Sequence, residues 1–148
     1  MAIASRLERW APSLTRATGS LLVLLGIIHL IATPFYIGFS SRQVRPEHAL
    51  LVIAGMRLNH LLTGILLIPL GVSTIWAARA LEQTWALRMA AMNAVVLFCL
   101  PVLLVTTMPL QSLNAPLFRL AILVVVAACL VQTAALAGVW AARRSRSR

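Results

Sequence analysis

Of 148 residues, 61% are hydrophobic and 11% charged, with a mean hydropathy of +0.93. A soluble domain carries roughly a quarter charged residues, and so short a chain forms too little interior to hide this much apolar surface from water. The formal charge of +10 comes from 13 arginines and no lysine, set against Glu8, Glu47 and Glu82; because the arginines stand at the ends of apolar segments rather than in one patch, they point away from nucleic acid and towards a bilayer with anionic headgroups.

In chain order, residues 3–11 place Ile3, Leu7 and Trp10 on one helical face with Arg6 and Arg9 beside it. That pattern predicts a short N-terminal helix lying on the membrane interface and ended by Pro12. A spanning helix needs about 20 apolar residues, and the uncharged stretch between Arg16 and Arg42 supplies a first span at 18–38. No Ala-x-Ala site follows it, so it reads as a retained helix rather than a cleaved leader. Pro46 and Glu47 suit a helix start, where proline loses no hydrogen bond and a carboxylate meets the positive end of the dipole.

The second span is expected at 56–78, between Arg57 and Arg79, and the third at 87–107. Met108 to Pro116, with two prolines and several turn formers, reads as a loop. Asn114 and Pro116 open a fourth span at 117–140, and 143–148 reads as a disordered basic cytoplasmic tail. Cys99 and Cys129 lie in apolar stretches and are expected to act as small hydrophobes. The whole describes a single all-α transmembrane domain, an integral membrane four-helix bundle.

Orientation follows from charge. Nine arginines (6, 9, 16, 79, 88, 143, 144, 146 and 148) fall on the side of the termini, and four (42, 45, 57 and 119) on the other. The positive-inside rule therefore predicts both termini in the cytoplasm, N-in and C-in. Trp10, Trp76, Trp85 and Trp140 gather at the inner interface on this topology; Phe35, Tyr36 and Phe39 mark the outer one. Arginine-only usage fits a GC-rich bacterial genome, which places the chain in a bacterial cytoplasmic (inner) membrane.

Polar side chains in hydrocarbon are costly and tend to face the bundle interior. Gly26, His29, Thr33 and Tyr36 share one face of the first helix. His60, Thr63, Gly64, Leu67, Gly71 and Thr74 share another on the second, with Arg57 at its edge. Met89, Asn93 and Thr107 align on the third, and Ala121, Ala128, Gln132 and Ala135 on the fourth. Four stripes of small or polar residues define a bundle core.

His29 and His60 are the sharpest candidates for chemistry, because neutral imidazole ligates metals and facing histidines hold haem iron in bundles. The competing reading is that both simply hydrogen-bond across helices. Their depths differ by up to ~10 Å depending on where Arg57 sits, at 1.5 Å per residue. Arg57 either snorkels to the headgroups or guards a cavity mouth and pairs with a carboxylate. Thr33, Tyr36 and Thr63 complete the candidate ligand-binding set. Asn93 and Gln132 form an inner polar layer expected to bond across helices. His48, beside Glu47 in the outer loop, reads as solvated, and joining His29 and His60 on a metal would draw that loop deep into the bundle.

No acid lies within a span, which argues against a carboxylate proton relay, and no Cys-x-x-Cys, His-Glu-x-x-His or phosphate loop is present. The expected function is a non-enzymatic accessory or ligand-binding membrane subunit, alone, as a homo-oligomer or within a larger complex. One alternative is a redox protein binding haem b or a quinone through His29 and His60; another is a small transporter or channel.

Overall fold

The computed structural model describes residues 2–42, 45–107 and 116–146. They form four long helices: α1 (Ala2–Ser41), α2 (Ala49–Ala77), α3 (Thr84–Thr107) and α4 (Pro116–Arg146). Each is long and apolar enough to cross a membrane. The helices divide into two compact units, one formed by Gly19–Val72 and the other by Met1–Thr18 with Ser73–Arg148.

The Gly19–Val72 unit is a helical hairpin of the later part of α1 and most of α2. Helices as apolar as these would find no more attraction to one another than to lipid tails in a bilayer, where close backbone approach supplies the packing. Glycines at seven-residue spacing, Gly19 and Gly26 on α1 and Gly64 and Gly71 on α2, put two bare patches on each facing side. A methyl added at Gly71 would stand 2.5 Å from the Gly19 carbonyl oxygen, and one at Gly26 would stand 2.9 Å from that of Gly64. No side chain fits in either place.

The second helix starts earlier than the sequence pattern predicts. Pro46–His48 form a 3-10 turn with proline at the first position and Glu47 in the first turn, and the Ala49 N–H donates to Pro46 O. The helix-start signals act where they stand, so α2 extends about two turns beyond the uncharged stretch.

The other unit packs the first part of α1 and the last turn of α2 with α3 and α4. Its core is built largely of alanine: Ala11, Ala77, Ala86, Ala90 and Ala135 are buried together with Leu81. Here the structure corrects one expectation. The N-terminal segment is not a separate interfacial helix ended at Pro12; α1 runs unbroken from Ala2 to Ser41. The cause is a buried stripe at 3.6-residue period. Ala11, Thr15 and Thr18 are buried, Leu14 packs on the core, and Leu7 Cβ lies where a methyl on Gly138 would meet it at 2.7 Å. Arg6, Arg9 and Trp10 face away from that stripe and are exposed. Pro12 removes one backbone hydrogen bond, and packing on both sides of it carries the helix through.

At the other end, α4 continues through Arg146, into the segment read as a disordered tail. The Arg143 guanidinium donates from Nη2 to Leu81 O at 3.0 Å and also to Glu82 O, and so ties the helix end to the α2–α3 turn. Arg144 lies 3.9 Å over the Trp140 ring. The predicted loop at 108–115 and the last two residues lie outside the described residues.

Candidate functional site

The hairpin register settles the relative height of His29 and His60. Gly26 against Gly64 and Gly19 against Gly71 set an antiparallel pairing that brings residue 29 level with residue 60. The two imidazole centroids are 4.8 Å apart, tilted by 34°. Tyr36 stacks on His60 from further along α1, at 4.6 Å and 22°. His29 and Tyr36 are seven residues apart, about 10 Å along the axis, so His60 fits between them.

Hydrogen bonds fix which ring nitrogen carries the proton. His29 Nδ1 lies 2.9 Å from Leu25 O, and a carbonyl only accepts, so Nδ1 is the protonated nitrogen. His60 Nδ1 lies 3.3 Å from His29 O and donates to it across the helix pair. Thr33, itself buried, donates its hydroxyl to the same His29 carbonyl at 2.6 Å and sits 3.3 Å from His60 Nδ1. With Nδ1–H committed in this way, the neutral form of either ring keeps an unprotonated Nε2, and neither Nε2 has a hydrogen-bond partner among the described residues. Orientation of an imidazole by a backbone carbonyl on its other nitrogen is also how proteins present histidine to a ligand.

His29, Thr33, Tyr36 and His60 thus come together. Thr63 does not join them; its hydroxyl donates to Asn59 O on its own helix. Arg57 is exposed and lines a shallow groove along α2 with Pro46, Ile53 and Leu61, without an ion-pair partner among the described residues. The side chain of His48 lies outside the described residues, and no group of three metal-binding side chains forms among those described. Cys99 and Cys129 are free thiols, the first exposed and the second buried with its Sγ 3.6 Å from Leu97 O.

As placed, the histidines do not fit haem. Imidazoles on one iron hold their nitrogens about 2 Å from the metal, as in other imidazole sites, and point at each other across a flat macrocycle. Here the rings lie nearly side by side, and Tyr36 covers His60.

The inner polar layer is assembled differently from the expected amide pairing. Asn93 Nδ2 donates to Ser73 Oγ and Thr74 Oγ1, both at 2.9 Å, and so joins α3 to the last turns of α2. Gln132 on α4 is 1% exposed, and neither end of its amide has a partner among the described residues. Ser73 was not singled out in the sequence. Equal distance from the turn gives the signal that could have found it: Ser73 and Thr74 precede Arg79 by about as much as Asn93 follows Arg88. Asn93→Leu should lower thermal stability in detergent by about 1 kcal/mol through loss of these bonds. An unchanged melting midpoint would show that the amide contributes nothing.

Comparison of the chain with protein-family models, curated proteins and solved structures finds no match.

Proposed function

We propose that the chain is a small multi-pass protein of a bacterial inner membrane, with both termini cytoplasmic, that acts as a non-enzymatic ligand-binding or accessory subunit. The arginine distribution supports the orientation. The ligand site is the His29–His60 pair, with Thr33 and Tyr36 holding the rings. One observation carries this reading: both imidazoles commit Nδ1–H to backbone carbonyls, which leaves two Nε2 lone pairs on adjacent rings. Two imidazole acceptors side by side suit a small apolar molecule that brings its own hydroxyl protons, of the hydroquinone class. This overlaps the quinone form of the redox alternative and needs no electron transfer by the protein itself. The haem form is disfavoured by the ring geometry described above.

Long-range proton–nitrogen NMR on protein labelled with 15N-histidine tests the reading directly. His29 and His60 should both show the Nδ1-protonated tautomer. A short-tailed hydroquinone should shift their Nε2 signals and leave His48 in place. Loss of the acceptors in His29→Ala/His60→Ala should weaken binding about tenfold or more, the equivalent of one to two hydrogen bonds. Nε2-protonated rings, or signals that ignore the hydroquinone up to its solubility, would reject the site. A reduced-minus-oxidised haem spectrum lost in the double variant would replace it with a membrane cytochrome.

A further inference from the structure

A second site lies in the other unit, on the surface between α3 and α4. An open groove of about 580 Å³ runs there, and its lining changes character along its length. At the end near the α2–α3 turn stand Arg88, Arg143, Trp140 and Thr84; further along, Ala91, Ala94 and Ala137 leave a shallow apolar channel. Thr84 to Ala94 on α3, and Arg143 back to Thr133 on α4, each cover about 15 Å of helix at 1.5 Å per residue. One end is cationic; the rest is apolar apart from Thr133, whose hydroxyl donates to Cys129 O on its own helix. A glycerophospholipid has the same polarity.

The cationic end is built to hold an anion. Arg143 is positioned by Leu81 O and Glu82 O through a single nitrogen, Nη2, which leaves donors of its five N–H groups available. Arg88 is exposed and has no hydrogen-bond or ion-pair partner among the described residues. Two guanidiniums line one groove, and each is a donor fork of the kind that recognises phosphate. Arg144 over Trp140 adds a third positive charge next to the groove. The apolar floor gives a free anion nothing to bind beyond its charge, whereas an acyl chain fills it. A second copy of this chain is a poor occupant, since it carries 13 arginines against three acids and would bring like charge to the same place.

We propose that this groove binds one anionic glycerophospholipid, its phosphate between Arg88 and Arg143 and an acyl chain along Ala91, Ala94 and Ala137. The site rests on the membrane placement proposed above but not on the histidine pair, so either can fail alone.

Native mass spectrometry of the full chain from detergent tests it, using phosphatidylglycerol and phosphatidylcholine with identical acyl chains. Phosphatidylglycerol adducts should survive at least about fivefold better. Arg88→Gln should cost about fivefold, the contribution of one basic side chain near an anionic surface. Ala91→Leu, which fills the channel and leaves the charges alone, should reduce retention of both lipids. Arg42→Gln, an exposed arginine at the end of α1, should change nothing. Glycerophosphate without acyl chains should not displace the lipid. Equal retention of the two lipids, an Arg88→Gln protein that behaves like wild type, an Arg42→Gln loss matching that of Arg88→Gln, or displacement by glycerophosphate would each overturn the proposal.

Discussion

Alanine at Gly71 is expected to destabilise the protein by about 2–3 kcal/mol, the upper range of overpacking costs. Alanine at Gly55 should be neutral or raise stability by up to about 1 kcal/mol. Both changes add one methyl group to α2, and both gain the same helix propensity. They differ in what the methyl meets. At Gly71 it stands 2.5 Å from Gly19 O, 2.7 Å from Val23 Cγ2 and 2.8 Å from Val23 N; at Gly55 nothing lies within 4 Å. Two of the three atoms facing Gly71 are backbone, so no rotamer change relieves the clash and the helices must separate. Thermal melting in detergent, followed by circular dichroism, checks the pair. Equal midpoints for the two variants would mean that the glycine seam does not hold the hairpin. Because His60 reaches His29 O across the same seam at 3.3 Å, the Gly71 variant should also disturb the imidazole signals.

Gln132→Leu is expected to act in the opposite direction and stabilise the fold by about 1–2 kcal/mol. The side chain is almost wholly enclosed on α4, and both amide atoms are buried without a partner among the described residues. A buried polar group without a bond costs about 1–3 kcal/mol, and leucine fills nearly the same volume without that cost. Membrane helices soften the difference, because the separated helix also finds partners for its amide. The same melting experiment decides. A lower midpoint for Gln132→Leu would show that the amide holds a partner in the folded protein, and the unsatisfied reading would be withdrawn.

The four helices were legible because hydropathy over twenty residues is a local property, and four apolar stretches bounded by arginine leave little choice. The facing stripes were legible too. Gly26, His29, Thr33 and Tyr36 do meet a neighbour along one side of α1, since 3.6-residue periodicity fixes which side chains share a face. Register was not legible. Whether His29 lies level with His60 depends on how the hairpin slides, and the glycine spacing that sets it was read as small-residue packing rather than as a ruler. Pro12 misled for a related reason. Its local preference is to end a helix, and only the burial of Ala11, Thr15 and Thr18, which involves residues far along the chain, shows why it does not. Asn93 found Ser73 and Thr74 instead of Gln132 because side-chain pairing depends on rotations that no single helix encodes.

The shared first helix has a consequence for how the chain comes together during synthesis. The hairpin contacts join residues such as Gly26 and Gly64, close in sequence and available once α2 has emerged. At the start of α1, Leu7 must wait for Gly138, near the end of α4, for the close approach the two make, and the core around Ala11 is completed only when Ala135 and Val139 arrive. Long-range contacts form late because the loop they close is costly. The first turns of α1 therefore complete their packing only after α4 is made, and until then they are a part that a chaperone or protease can reach.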